Sequence, residues 1–219
     1  MNEYYNFQDK KTTAKIDPHQ YFTLNAKIKD DDLIRKFLPD LSSFETIVLN
    51  ANYNADDKKI VVDAEIPNLT YGKNVIDAGN LHIDNTADAL NYKLNIGGLK
   101  SESFQLKKID LNGDIAQNTV NYSVSTKDDK DATQFLVAGN VKLIDEITNI
   151  SLNPNGLVLN YDQWQVKDGN LIQIQKDGIV ANNFSISNNG SEISIQSDGN
   201  KGSSPLNIAI KDFKIETIT

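Results

Sequence analysis

Leu90-Asn91-Tyr92-Lys93-Leu94-Asn95-Ile96 alternates apolar and polar side chains without a break. Successive side chains on a strand point to opposite faces, so this stretch has one oily and one wet face. The same period of two recurs at Val120-Asn121-Tyr122-Ser123-Val124, Phe135-Leu136-Val137, Phe184-Ser185-Ile186 and Ile193-Ser194-Ile195. From about Tyr21 to Thr219 almost nothing follows helical spacing. So many one-sided strands create a large apolar surface with no helices to cover it. A second sheet, the same sheet curled over, or a lipid must cover it.

Working outward, strands are expected near 44–53, 59–66, 74–84, 88–96, 102–112, 115–125, 133–143, 147–153, 156–161, 170–175, 179–187, 191–197 and 205–216. Asn112-Gly113, Asn155-Gly156, Asp168-Gly169, Asp177-Gly178, Asn189-Gly190 and Asp198-Gly199 supply the positive φ angles that tight hairpins need. Connections this short make neighbours antiparallel, which gives a meander. Upstream, Phe22, Leu24, Ala26 and Ile28 share one face of a strand, and a break is expected at Asp17-Pro18. One helical signal stands out: Asp30-Asp31-Asp32, then Leu33 to Leu38, then Pro39. At about two turns it needs a partner, so Leu33, Phe37 and Leu38 are expected to pack on the end of the sheet. Residues 1–20 read as a polar, frayed segment and 21–219 as a single elongated antiparallel β domain.

The chain has 219 residues, a net charge of −8 and no cysteine. The acidic balance argues against nucleic acid and against an anionic membrane surface. Arg35 is the only arginine, which leaves few bidentate clamps for phosphate. No run approaches the roughly 18 apolar residues of a membrane-spanning helix. Met1-Asn2-Glu3-Tyr4-Tyr5 has no basic start or apolar core, and the chain reads as an internal piece of a longer protein.

Chemical signatures are scarce. His19 and His82 stand far apart and without cysteine, a poor start for zinc. Asp128-Asp129-Lys130-Asp131 and Asn54-Ala55-Asp56-Asp57 lack the EF-hand layout and read as solvated loops. Neither a nucleophile elbow nor a phosphate loop occurs, so no enzyme is expected, and neither a cofactor nor a metal. Trp164, the only tryptophan, reads as an aromatic plug at one end of the sheet; a sugar platform or interfacial anchor is the other reading.

The cadence of Ile109-Asp110-Leu111-Asn112-Gly113-Asp114-Ile115, of Val137-Ala138-Gly139-Asn140-Val141-Lys142-Leu143, and of Gly178 through Gly199 resembles the AsmA-like TamB proteins of the Gram-negative envelope. The resemblance is especially to the divergent Bacteroidota forms, and Pro39-Asp40-Leu41 after the helical segment fits them too. The resemblance covers about 20–219. It implies an all-β fold, a long antiparallel meander curled into a U-shaped trough (a β-taco) with one short N-terminal helix. It implies a periplasmic bridge, anchored in the inner membrane through a segment outside this chain. Such a bridge carries phospholipid between the membranes, or assists outer-membrane protein assembly with a barrel protein as partner.

Acyl chains need a dry path and no special side-chain chemistry, since each buried methylene is worth about 0.8 kcal/mol. The candidate lipid-binding wall is Leu81, Ile83, Leu90, Tyr92, Leu94, Ile96, Phe104, Leu106, Val120, Tyr122, Val124, Phe135, Val137 and Val141. The same alternation fits a closed β-sandwich, which would act as a surface or secreted binding or adhesion module. Unpaired strand edges are expected to pair with another copy as an edge-strand dimer.

Overall fold

A computed structural model describes Tyr4 and residues 19–214. Among the described residues 68% lie in strands and 3% in helix, an all-β fold in which strands must cover strands or leave them open. Among the described residues thirteen strands form a large antiparallel meander that is not closed into a barrel, and four more form a second sheet. The chain divides into two compact units, each taken separately below.

The first unit holds 19–114 and 126–129. Its strands are β1 (Tyr21–Ile28), β2 (Leu41–Phe44), β3 (Ile47–Asn54), β4 (Lys59–Tyr71), β5 (Asn74–Asn85), β6 (Leu90–Lys100) and β7 (Gln105–Ala116), the last running slightly past it. Neighbours pair in the order β1-β3-β4-β5-β6-β7, and β2 pairs with the far end of β4. Between β1 and β2 lies the helix α1 (Asp32–Phe37). Asp31 caps it by accepting from the Leu33 amide at 2.7 Å, and Leu38 ends it just before Pro39. The expected packing of this helix is not seen. Leu33, Phe37 and Leu38 are all exposed, Phe37 by 78%. A two-turn element with three apolar residues covers too little surface to seal a sheet end.

The second unit holds Tyr4, 115–125 and 130–214. It carries most of β8 (Thr119–Lys127), then β9 (Thr133–Ile144), β10 (Ile147–Leu159), β11 (Asp162–Gln163), β12 (Gln165–Val166), β13 (Leu171–Gln175), β14 (Gly178–Asn182), β15 (Phe184–Asn188), β16 (Ser191–Ser197) and β17 (Leu206–Lys211). Strands β9-β10-β13-β14 run in the large sheet, and β12-β15-β16-β17 make the small one. The chain passes from β14 to β15 through Asn183, whose φ of 50° bends the strand into the other sheet.

Several expected turns fall elsewhere. Asn112-Gly113 lies inside β7 and Asn155-Gly156 inside β10, so the strands expected at 147–153 and 156–161 are one strand. Gln117-Asn118 and Asp145-Glu146 turn instead, with positive φ at all four residues. Side chains other than glycine accept that conformation where a two-residue hairpin demands it. Asn189-Gly190 does turn as expected, with φ of 48° and 89°.

The bulge in β10 has a packing purpose. Gly139 pairs with Leu152 and Val137 with Leu157, so β10 takes five steps where β9 takes two. Residues five apart on a regular strand face opposite ways; the bulge brings Leu152 and Leu157 to the same core. The backbones close in here. A Cβ on Gly139 would collide with the Ser151 carbonyl oxygen and lie 3.0 Å from Tyr122 Oη. Gly139→Ala is therefore expected to cost about 1–3 kcal/mol, read as a lower urea midpoint with an unchanged slope.

Candidate functional site

The pairing registers of the first unit assemble a wall. Opposite residues of an antiparallel pair share a face. One row reads Leu24, Ala51, Val62, Ile83, Tyr92, and the next Ala26, Leu49, Ala64, Leu81, Leu94. Ile66, Gly79 and Ile96 follow in a third row. Six of the expected wall residues thus share one face: Leu81, Ile83, Leu90, Tyr92, Leu94 and Ile96. Residues on β1, β3 and β4 extend it and were missing from the expected wall. Their alternation is visible in Ile47-Leu49-Ala51-Tyr53 and Ile60-Val62-Ala64-Ile66, although Val48 and Val61 on the wet face blur it.

This wall is only half buried. None of Leu24, Ala51, Val62, Ala64, Leu81, Ile83, Tyr92 or Leu94 is fully covered. Neighbours within one pleated layer shield a side chain to this degree, whereas a second layer would remove it from water. Leu90, at 9% exposure, sits at one margin beside Asn85. The buried Asn85 amide accepts from the Ile60 amide at 2.8 Å and donates to the Lys58 carbonyl at 2.7 Å, which fixes the end of β4 against the β5–β6 turn.

The opposite face is polar. Asn50, Asp63, His82 and Lys93 form one row, beside Asp84 with Asn91 and Asn80 with Asn95. His82 Nδ1 lies 2.6 Å from Asp63 Oδ1, and Asn91 donates to Asp84 at 2.8 Å. Asn95 donates to Asp110. The hydrogen bond to Asp63, above all, holds His82 above the usual histidine range, with Asp84 contributing through its charge. A raised folded value means the interaction stabilises fully below the unfolded value of about 6.5 and fades as pH rises through the folded one. An NMR titration is expected to show the His82 midpoint falling in Asp63→Asn.

The remaining expected wall residues distribute differently. Phe104 is not on a strand: it lies in the turn before β7, 48% exposed, where its carbonyl accepts from the Ser101 amide. Leu106 lies on β7 and is half buried, with its carbonyl 3.8 Å from the position of a Cβ on Gly98. Val120, Tyr122 and Val124 alternate on β8, and Val124 is exposed by 38%. Burial raises the Tyr122 hydroxyl above the usual tyrosine range. Phe135, Val137 and Val141 alternate on β9, where Val137 pairs with Leu157 and Val141 with Ile150.

Val137 too is exposed, and the filled core of the second unit is built by other residues. Leu157, Trp164 and Val166 are 4%, 2% and 5% exposed, and Leu152, Leu159, Ile186 and Phe213 pack against them. The Trp164 and Phe213 rings sit 5.7 Å apart at 58°. Val166 pairs with Ile186, so the small sheet supplies one side of this core and β10 the other. Trp164 is thus an interior residue, in line with the plug expected for it and against a surface platform.

Among the described residues no group of three or more His, Asp or Glu side chains could hold a metal. No described helix is long and apolar enough to cross a membrane. No protein-family model, curated protein or solved structure matches the chain.

Proposed function

We propose that this chain is a segment of a periplasmic bridge whose apolar sheet face carries phospholipid acyl chains between the inner and outer membranes, or holds outer-membrane proteins during assembly. The supporting observation is the in-register wall of the first unit, half-buried across β1, β3, β4, β5 and β6. An oily surface this continuous is costly in water, at about 25 cal/mol for each Å² left wet. An acyl chain laid along it removes that cost and needs no charged clamp, in keeping with a single arginine. In this reading the sheet curls lengthwise into a trough, and a barrel protein of the outer membrane is the partner of the longer protein.

A specific observation favours a second reading for the other unit. Its core at Leu157, Trp164 and Val166 is closed between strands of two sheets, as in a sandwich-type binding or adhesion module. Lipid extraction and native mass spectrometry of bacterially made protein separate the two. The bridge predicts co-purified phospholipid. Protein free of lipid, and unable to take it up from vesicles, would leave the binding-module reading in its place.

A further inference from the structure

We propose that Asn189 is a self-modifying position, the place where this chain rearranges its own backbone through a succinimide. The inference stands on the small sheet and is independent of the lipid reading. Three Asn-Gly steps occur, at 112, 155 and 189. In each, the backbone nitrogen of the glycine can attack the asparagine Cγ, because glycine has no Cβ to obstruct the approach. A C–N bond forms, the Cγ–Nδ2 bond breaks, and ammonia leaves with the transferred proton. Water then opens the five-membered ring at either carbonyl and gives aspartate or isoaspartate. No oxidant, metal or enzyme enters the balance.

Structure separates three steps that chemistry makes alike. Asn112-Gly113 lies within β7. Asn155-Gly156 lies within β10, where Gly156 is buried and a Cβ on it would sit 2.6 Å from the Ala138 carbonyl oxygen. Closing a ring at either place disturbs a packed strand. Asn189-Gly190 is the two-residue tip of the β15–β16 hairpin, outside the pairing that Asn188 and Ser191 close. Both tip residues are exposed, and nothing lies within 4 Å of a Cβ on Gly190. The ring can form there at the smallest structural cost. Its isoaspartate product adds a methylene to the main chain and a negative charge, which breaks the two-residue geometry the tip requires. The change loosens β15, whose Ile186 reaches the Trp164 core.

The test ages the intact chain in mildly alkaline buffer, folded and in parallel in concentrated urea, and follows each site by peptide mass mapping and isoaspartate methylation. In urea the three sites should convert at similar rates. In the folded chain Asn189 should lead Asn112 and Asn155 by about tenfold or more, the factor expected when ladder hydrogen bonds must open first. Equal rates in the folded chain, or a lead by Asn112 or Asn155, would overturn the proposal. So would equal slowing of all three on folding, since the hairpin tip would then protect as well as a strand does.

Discussion

Under the proposed bridge, Leu94→Asp is expected to strip bound phospholipid from the chain while leaving most of its circular dichroism intact. Leu94 lies on β6 between the half-buried Tyr92 and Ile96, opposite Leu81. Full burial of a leucine is worth about 1.5–3 kcal/mol, so at half cover the folding cost is about 1 kcal/mol. The cost to lipid is larger. An acyl chain crossing the site must desolvate a carboxylate that has no partner, at several kcal/mol. Each 1.4 kcal/mol is tenfold in affinity, so retention should drop by about a hundredfold or more. Lys93→Glu, on the polar face opposite His82, is the control and should keep its lipid. A Leu94→Asp protein that fails to fold would place Leu94 in a sealed interior and remove the basis for the bridge.

Trp164→Ala is expected to cost about 3–5 kcal/mol, the usual range for an emptied aromatic site in a core. Trp164 is 2% exposed and packs with Phe213, Leu157 and Val166. Its indole Nε1 is buried without a hydrogen-bond partner, a burden that phenylalanine would not carry. Trp164→Phe should therefore lose much less than Trp164→Ala. Urea unfolding followed by circular dichroism reads both, because the only tryptophan is gone. Trp164→Ala at wild-type stability would show that the small sheet is not held by this core.

The two predictions differ because the two units treat the same kind of strand differently. Strand pattern reads well from sequence wherever alternation is clean: β6, β9 and β16 lie where Leu90–Ile96, Phe135–Leu143 and Ile193–Ile195 place them. The acidic start and the Pro39 stop likewise bound α1 as expected. Part of the wall was legible too: alternation groups Leu81 with Ile83 and Tyr92 with Leu94, and the β5–β6 register joins the two groups on one face. Misreadings cluster where glycine does something other than turn. Gly156 marks a bulge and close backbone approach, not a hairpin, while Gln117-Asn118 turns without any glycine.

Local pattern therefore decided that this chain is all-β and which residues along each strand belong to the oily side, because pleat alternation is a property of consecutive residues. Whether that side stays half open, as on β3 to β6, or closes around Trp164 was decided by contacts between distant segments. The β10 bulge and the bend at Asn183 bring β12 and β15 over Leu157. Burial by a second layer depends on where the chain returns in space, and no window of neighbouring residues carries that information.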